Sequence, residues 1–532
     1  MKVPSNILLR TPKLDSVLLP LNSSNICGNK SASTVLLDAV SVEALNKAKP
    51  FQEIPGPKSL PLIGNIHRYL PGIGEYSKSK WHEAQRMKFQ QYGPIVREQM
   101  VPGVNFVHLY DPKDMEVVSR NEGKFPKREF FVGMKTLRER NPEMYSTVGV
   151  AAGNGEEWYR IRSKSQKAMM RPQIMKTFLP QMNLIADDLI RRIRLLRQPD
   201  HQVPLFLNEL FKWALESVTY ILFEQRLGCL EDNLSPDSVA QQYIQAVNSF
   251  FQLSAKVELS SLPVWRVWPA LSPSFRKLAN VHDFFFENAL KYVQTKLQDL
   301  KNKDGGNDNE DEISQALMSM LLQHCSPKDA CVMAVDAMAA GIDTTSLTLA
   351  YVLRNLAANP EVQKRLQGEV DRVLPDGQPL TVQAMDQMPY LRACIKESMR
   401  ICPTVQGTSR TLDKDIVLSG YRIPAETQIT LNYYVSSVQE RYFPDADKYI
   451  PERWLRSASG VPTTADSFAF QPFGFGPRMC IGRRIADLEM LTLLTKIMQN
   501  FWIENQSDEL DVRFQLVLMI QSPLRYEFYE RR

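Results

Sequence analysis

Apolar positions along this chain are spaced mostly for helices, and after Glu156 helical patterning dominates. One helix stands out. Ser326 and Pro327 supply an N-cap and a first-turn proline, an apolar-rich run follows from Lys328 to Ala358, and Asn359-Pro360 stops it. At 1.5 Å per residue such a helix is ~45 Å long, enough to cross a domain. Its middle, Ala340-Gly341-Ile342-Asp343-Thr344-Thr345, breaks the apolar pattern. Taken alone, this is a tolerated glycine followed by threonine hydroxyls that bond back to the preceding turn. A second apolar helix is predicted from Arg483 to Asn500. Val104 to Tyr110 predicts a short strand, which Asp111 and Pro112 end while opening a short helix. Ile54-Pro55-Gly56-Pro57, with Pro61 and Gly64, forms a rigid lead-in to the folded body. Two polar, turn-rich stretches, 301–312 and 456–467, read as surface loops, and neither divides two cores. The expectation is one large, mainly α domain with small β-sheets over 51–532, after a poorly patterned segment 1–50.

Composition narrows the class. The 532 residues are 44% hydrophobic, enough for a large core, and the net charge is only +5. That balance does not argue for nucleic acid, but it leaves room for a basic patch facing an acidic partner. The seven cysteines are widely spaced, with no CxxC, CxxCH or HExxH. A disulfide framework, a zinc site and covalently attached haem therefore lack support, and a reducing compartment is expected. The first 37 residues carry Lys2, Arg10, Lys13 and Lys30 against one acid, Asp15. This leans toward a mitochondrial presequence, with a disordered tail as the alternative. Apolar runs there are broken by Pro4, Pro12 and Pro20, so no membrane anchor is expected.

The chemistry concentrates in Phe473-Gly474-Phe475-Gly476-Pro477-Arg478-Met479-Cys480-Ile481-Gly482. A thiolate is soft and electron-rich, and suits haem iron as an axial ligand. Gly474, Gly476 and Gly482 let backbone approach closely. Arg478 can pair with a haem propionate, and Phe473 can shield the sulfur. The N-terminus of the following helix would stabilise negative sulfur. A dinucleotide loop would want glycine at 479, which is Met479.

This loop, FxxGxRxCxG, resembles the haem-ligand loop of the cytochromes P-450, and the resemblance runs from about Phe51 to the C-terminus. It implies the P-450 fold, with haem b buried between the long distal helix and the loop of Cys480, the iron ligand. It implies that Ala340–Thr345 is the distal motif. There Gly341 lets the helix widen for oxygen, and Asp343 and Thr344 relay protons toward O2. Trp158 and Arg162 resemble the WxxxR that reaches one propionate, and Arg410 stands where many members hold the second. Glu397 and Arg400 resemble the ExxR, completed by Arg453 as an ion network. A second ExxR, Glu369 and Arg372, reads as an exposed ion pair on a helix.

The implied activity inserts one oxygen atom from O2 into an apolar small molecule, xenobiotic or steroid-like. Pro389 to Glu397 is similar to mitochondrial-type members. Its Arg392 and Lys396 would dock an adrenodoxin-like [2Fe-2S] ferredoxin, fed from NADPH by ferredoxin reductase. A solvated basic face is the plainer reading of that pair. Arg483 and Arg484 also look mitochondrial. The chain looks most like insect mitochondrial members linked to foreign-compound metabolism, with ecdysteroid hydroxylases second. The implied location is the matrix side of the inner membrane. Trp265 and Trp268 either touch that membrane or are buried in the core. Two other classes stay open: a haem-thiolate isomerase or dehydratase, and a non-catalytic haem protein. Substrate choice rests on segments 128–146 and 241–257, which spacing rules cannot read.

Overall fold

The computed structural model describes residues 40–531 except 172, 261–263, 304–316, 456–466 and 507–509. The basic leader and most of the two polar stretches lie outside the described residues. Among those described, twelve helices have eight residues or more. They are α1 (Trp81–Tyr92), α2 (Pro112–Asn121), α3 (Val132–Glu139), α4 (Gly155–Met169), α5 (Gln173–Leu196) and α6 (Phe206–Phe223). They continue with α7 (Val239–Glu258), α8 (Pro273–Lys303), α9 (Pro327–Ala357), α10 (Pro360–Val373), α11 (Pro389–Ile401) and α12 (Arg483–Asn500).

The central element is α9. Ser326 Oγ accepts the Asp329 N–H at 3.2 Å, and Pro327 fills the first turn. Most of its residues are buried, because α6, α8, α11 and α12 pack around it. A helix that is apolar on all sides belongs in a core. It is also long and apolar enough to cross a bilayer, but here the protein itself surrounds it. α12 begins and ends where the apolar pattern predicts.

Four strands form the largest sheet, in the order β1 (Ile95–Val101), β2 (Val104–Leu109), β6 (Gln428–Leu431), β3 (Thr408–Thr411). β2 runs parallel to β6, and the other pairs are antiparallel. Three further two-stranded pairs complete the β structure among the described residues. After β2, the Asp111 carboxylate accepts the Lys113 N–H at 2.8 Å and starts α2, with Pro112 leading.

Two expectations need correction. Glu369 and Arg372 do not form an exposed ion pair. Glu369 is buried, and its carboxylate accepts the N–H groups of Tyr390 at 2.9 Å and Leu391 at 2.8 Å. The unpaired donors at the N-terminus of α11 attract it more than a solvated arginine can. The tryptophan segment is split rather than uniform. Trp265 is buried, donates to Val257 O at 3.0 Å and stacks on Phe275, whereas Trp268 is 62% exposed.

Candidate active site

The loop before α12 folds back on itself. The Cys480 N–H donates to Phe473 O at 2.9 Å, and the Met479 N–H to Gly476 O at 3.0 Å. Gly474 and Gly476 sit at φ 70° and 74°, which other residues adopt at a cost. A Cβ on Gly476 would also lie 2.5 Å from Glu122 Oε1. Gly482 has an ordinary φ of −86° at the start of α12, so its conformation does not demand glycine. Its N–H faces the Cys480 sulfur.

Cys480 is the one exposed cysteine among the described residues, yet protein surrounds it closely enough to push its thiol up by burial. The residue is therefore solvent-accessible although protein crowds around its sulfur. The Gly482 N–H, Arg162 and Arg483 pull the other way and favour thiolate.

Next to this loop lies a crowd of arginines. Buried Arg478 donates to Pro126 O at 2.8 Å, Gly153 O at 2.7 Å and Asn154 Oδ1 at 2.7 Å. Its guanidinium lies 4.1 Å from the Trp158 ring centre. Arg162, one turn beyond Trp158 on α4, donates to Met479 O at 2.7 Å. Arg410 on β3 pairs with Glu122 and donates to Thr408 Oγ1 at 3.1 Å. Arg128 donates to Ala151 O at 2.6 Å, while its Nε is buried without a partner. Burial and the neighbouring cations push Arg478 down to about 8 and Arg128 to about 10; burial holds Arg162 at about 10. Four cations thus gather around Glu122, and the next carboxylate, Asp336, is already paired with Arg138. A group carrying two carboxylates beside Cys480 would relieve that imbalance, as the two propionates of haem do. The residues present fit haem.

On α9, Ala337, Ala340, Gly341 and Thr344 share one face, and none of the four is fully buried although the flanking turns are. Ala340 is exposed in mid-helix. Thr344 Oγ1 donates to Ala340 O at 2.7 Å. The helix runs unbroken through Gly341, where a Cβ would come 3.1 Å from Val218 of α6. Asp343 is buried, and burial alone pushes its carboxyl up to about 8. Behind it, Thr345 faces Glu489 of α12 at 3.4 Å, and burial pushes that carboxyl well up too.

A family model described as Cytochrome P450 matches residues 54–528. The chain belongs to the cytochrome P450 family. It is 34% identical over 494 residues to probable cytochrome P450 301a1, mitochondrial, of Drosophila melanogaster, covering 92% of this chain and 88% of the relative. It is 35% identical to probable cytochrome P450 12a5, mitochondrial, of the same fly, covering 91% of each chain. Against the fly's cytochrome P450 302a1, mitochondrial, identity is 33%, over 91% of this chain and 96% of the relative. Family membership makes this P450 a monooxygenase that uses haem and O2.

Elsewhere in the P450, the ExxR residues meet as a closed polar unit. Glu397 Oε1 accepts from Arg400 at 2.8 Å, Arg453 at 3.0 Å and the Ile450 N–H at 3.1 Å. Its Oε2 accepts from Arg400 at 3.1 Å and from the Trp454 indole at 2.7 Å. Arg400 also donates to the Ser437, Ala446 and Lys448 carbonyls. Trp454 stands next to Arg453 in the sequence, yet its part in the network goes unread there. Arg128 and Glu122 were missed as well. A charge in the segment after α2 was the only signal, and nothing in its spacing marked it.

Arg392 and Lys396 lie on the outer face of α11. Arg392 is half-buried and donates to Met385 O at 3.3 Å, while Lys396 is exposed. With Arg483 and Arg484 they surround Asp487, and Arg392 also lies 3.8 Å from Asp386. The face is basic beyond what its acids balance.

Proposed function

We propose that this P450 is a mitochondrial haem-thiolate monooxygenase acting on an apolar small molecule, xenobiotic or steroid-like, with electrons from NADPH delivered by ferredoxin reductase and a [2Fe-2S] ferredoxin. The observation that carries the reading is an accessible but closely surrounded Cys480 beside an arginine cluster short of negative charge. Bound there, haem supplies the activation of dioxygen by single electrons. Cys480 would hold the haem iron as thiolate, and the Gly482 N–H and the N-terminus of α12 favour its charge. Arg128, Arg162, Arg410 and Arg478 would hold the propionates, with Trp158 bracing Arg478. Gly476 gives the loop room, and Phe473 would shield the sulfur.

Thr344 presents its hydroxyl on the accessible face of α9, and Gly341 lets α6 pack close beside it. Asp343 retains its proton at neutral pH because it is buried, so it can give one up when water reaches it. The pair positions and passes protons. This favours a monooxygenase over an isomerase, which needs no outside protons or electrons.

The basic face around Arg392 and Lys396 suits an acidic ferredoxin. Mitochondrial placement is supported by the basic leader and by the relatives named mitochondrial. Trp268, Val267 and Leu271 form an exposed apolar group suited to peripheral membrane contact.

The test begins with Cys480→Ala, which is expected to abolish the thiolate-type spectrum of the reduced CO complex; its retention would refute the ligand assignment. Thr344→Ala is expected to uncouple electron use from product, and tight coupling would remove its role. Arg392→Glu with Lys396→Glu should raise KM for ferredoxin at least tenfold with a weaker salt dependence; unchanged KM would place docking elsewhere.

A further inference from the structure

We propose that Glu258 is a positioning residue for substrate admission: its carboxylate latches the N-terminus of α3 to the tip of α7 and so closes a roof beside the accessible face of α9. This rests on the monooxygenase reading and deepens it.

α3 begins after Phe131, which has φ 56° and offers no capping side chain. The first N–H groups of a helix need partners. Here the partner comes from 125 positions away: the Gly133 N–H donates to Glu258 Oε1 at 2.7 Å. The Val132 and Met134 N–H groups face the same carboxylate. Glycine at 133 is what lets the two elements meet. A Cβ there would lie 2.5 Å from Val257 Cγ1 and 2.9 Å from Glu258 Oε1.

The two sides of the latch differ in support. The tip of α7 is braced, because Trp265 donates to Val257 O at 3.0 Å and stacks nearly parallel on Phe275. Glu258 therefore stands on a fixed post. The other end of α3 is tied down by Arg138, which pairs with Asp336 of α9 at 2.8 Å, both buried. Asp336 lies one turn before Ala340, the exposed position of the accessible face. α3 thus reaches from the edge of that face to the tip of α7. Releasing Glu258 frees one end of α3 while Arg138 holds the other, which is the geometry of a flap. The two segments left unread by spacing, 128–146 and 241–257, are joined at this point.

A latch of this kind sets a barrier and leaves the bound state unchanged. Losing it raises association and dissociation rates together and leaves Kd nearly constant. Structural damage would change Kd instead.

The experiment uses the haem-loaded full chain with Glu258→Ala and, in case that variant folds poorly, the isosteric Glu258→Gln. Amide hydrogen exchange at residues 132–134 should quicken by roughly fivefold in Glu258→Ala, as for loss of a helix cap, and less in Glu258→Gln. Phenylimidazole binding, followed by the haem absorbance shift in stopped flow, should show both rates raised by a similar factor with Kd within about twofold. Unchanged exchange at 132–134 would overturn the latch. Quickened exchange with unchanged binding rates, or a changed Kd, would overturn its role in admission. If phenylimidazole gives no shift in the unaltered protein, the haem reading fails, and the exchange result still decides the latch.

Discussion

Replacing Glu397 by glutamine removes one negative charge and almost no volume, so it isolates the electrostatics of the ion network. The carboxylate accepts five hydrogen bonds, from Arg400 twice, Arg453, Trp454 and the Ile450 N–H. A glutamine amide keeps one oxygen and turns an NH2 toward donors. If it keeps the Oε1 side, the bonds from Arg400 Nε and the Trp454 indole are lost. The guanidinium groups of Arg400 and Arg453, at most 7% exposed, then face each other with no anion. Breaking a buried pair by removing one partner costs about 3–5 kcal/mol. Whole-domain stability is ~5–15 kcal/mol, so the variant should be severely weakened. Trp454→Phe provides the graded control. It preserves the ring between Phe443 and Phe470 and removes one bond to a charged group, which costs about 1.5–3 kcal/mol. The assay is equilibrium urea unfolding followed by circular dichroism and by haem absorbance, at fixed protein concentration. A loss below about 1 kcal/mol in Glu397→Gln would refute the reasoning, since it would mean that water or a rearranged backbone compensates the two arginines.

Three further expectations follow from individual side chains. Glu369→Ala should destabilise by about 1–2 kcal/mol through loss of the α11 cap, while Arg372→Ala changes urea midpoints by less than about 0.5 kcal/mol; equal effects would restore the ion-pair reading. Asp343 titrates at about 8 folded against 3.8 for a free side chain, so the folded state holds a proton that the unfolded state releases between those values. Its contribution to stability therefore falls as pH rises from about 4 to 8, by at most ~1.4 kcal/mol per unit. Asp343→Asn should gain stability relative to the parent, increasingly toward pH 8, and urea midpoints at pH 5, 6.5 and 8 that show no such trend would count against it. Trp268→Ser should weaken vesicle flotation with stability nearly unchanged, whereas Trp265→Ser should cost about 3–5 kcal/mol as a buried indole is lost; flotation indifferent to Trp268 would exclude the membrane contact.

Local signals carried much of the architecture. The ends of α9 and α12, the start of α2 and the strand before it were all readable, because caps, prolines and apolar periodicity act within a few residues. The loop around Cys480 was readable for the same reason. Its glycines, arginine and cysteine are consecutive, so the pattern survives without knowledge of the fold. Charge pairing was not readable in this way. Glu369 has the spacing of a helical ion pair with Arg372, but its real partners are backbone N–H groups at the start of α11. The tryptophans of 265 and 268 are three apart and were treated alike, while the turn between them sends one inward and the other out.

Most of the elements and the mainly helical class follow from the sequence, and so does the choice of Cys480 as the candidate ligand, since each depends on neighbours along the chain. Tertiary structure alone decided which charges meet: Arg128 and Glu122 with the loop arginines, Trp454 with Glu397, and Glu258 with the start of α3. The physical reason is that a buried charge or an unpaired N–H takes whatever partner packing brings within ~3 Å, and packing brings together residues far apart in the chain.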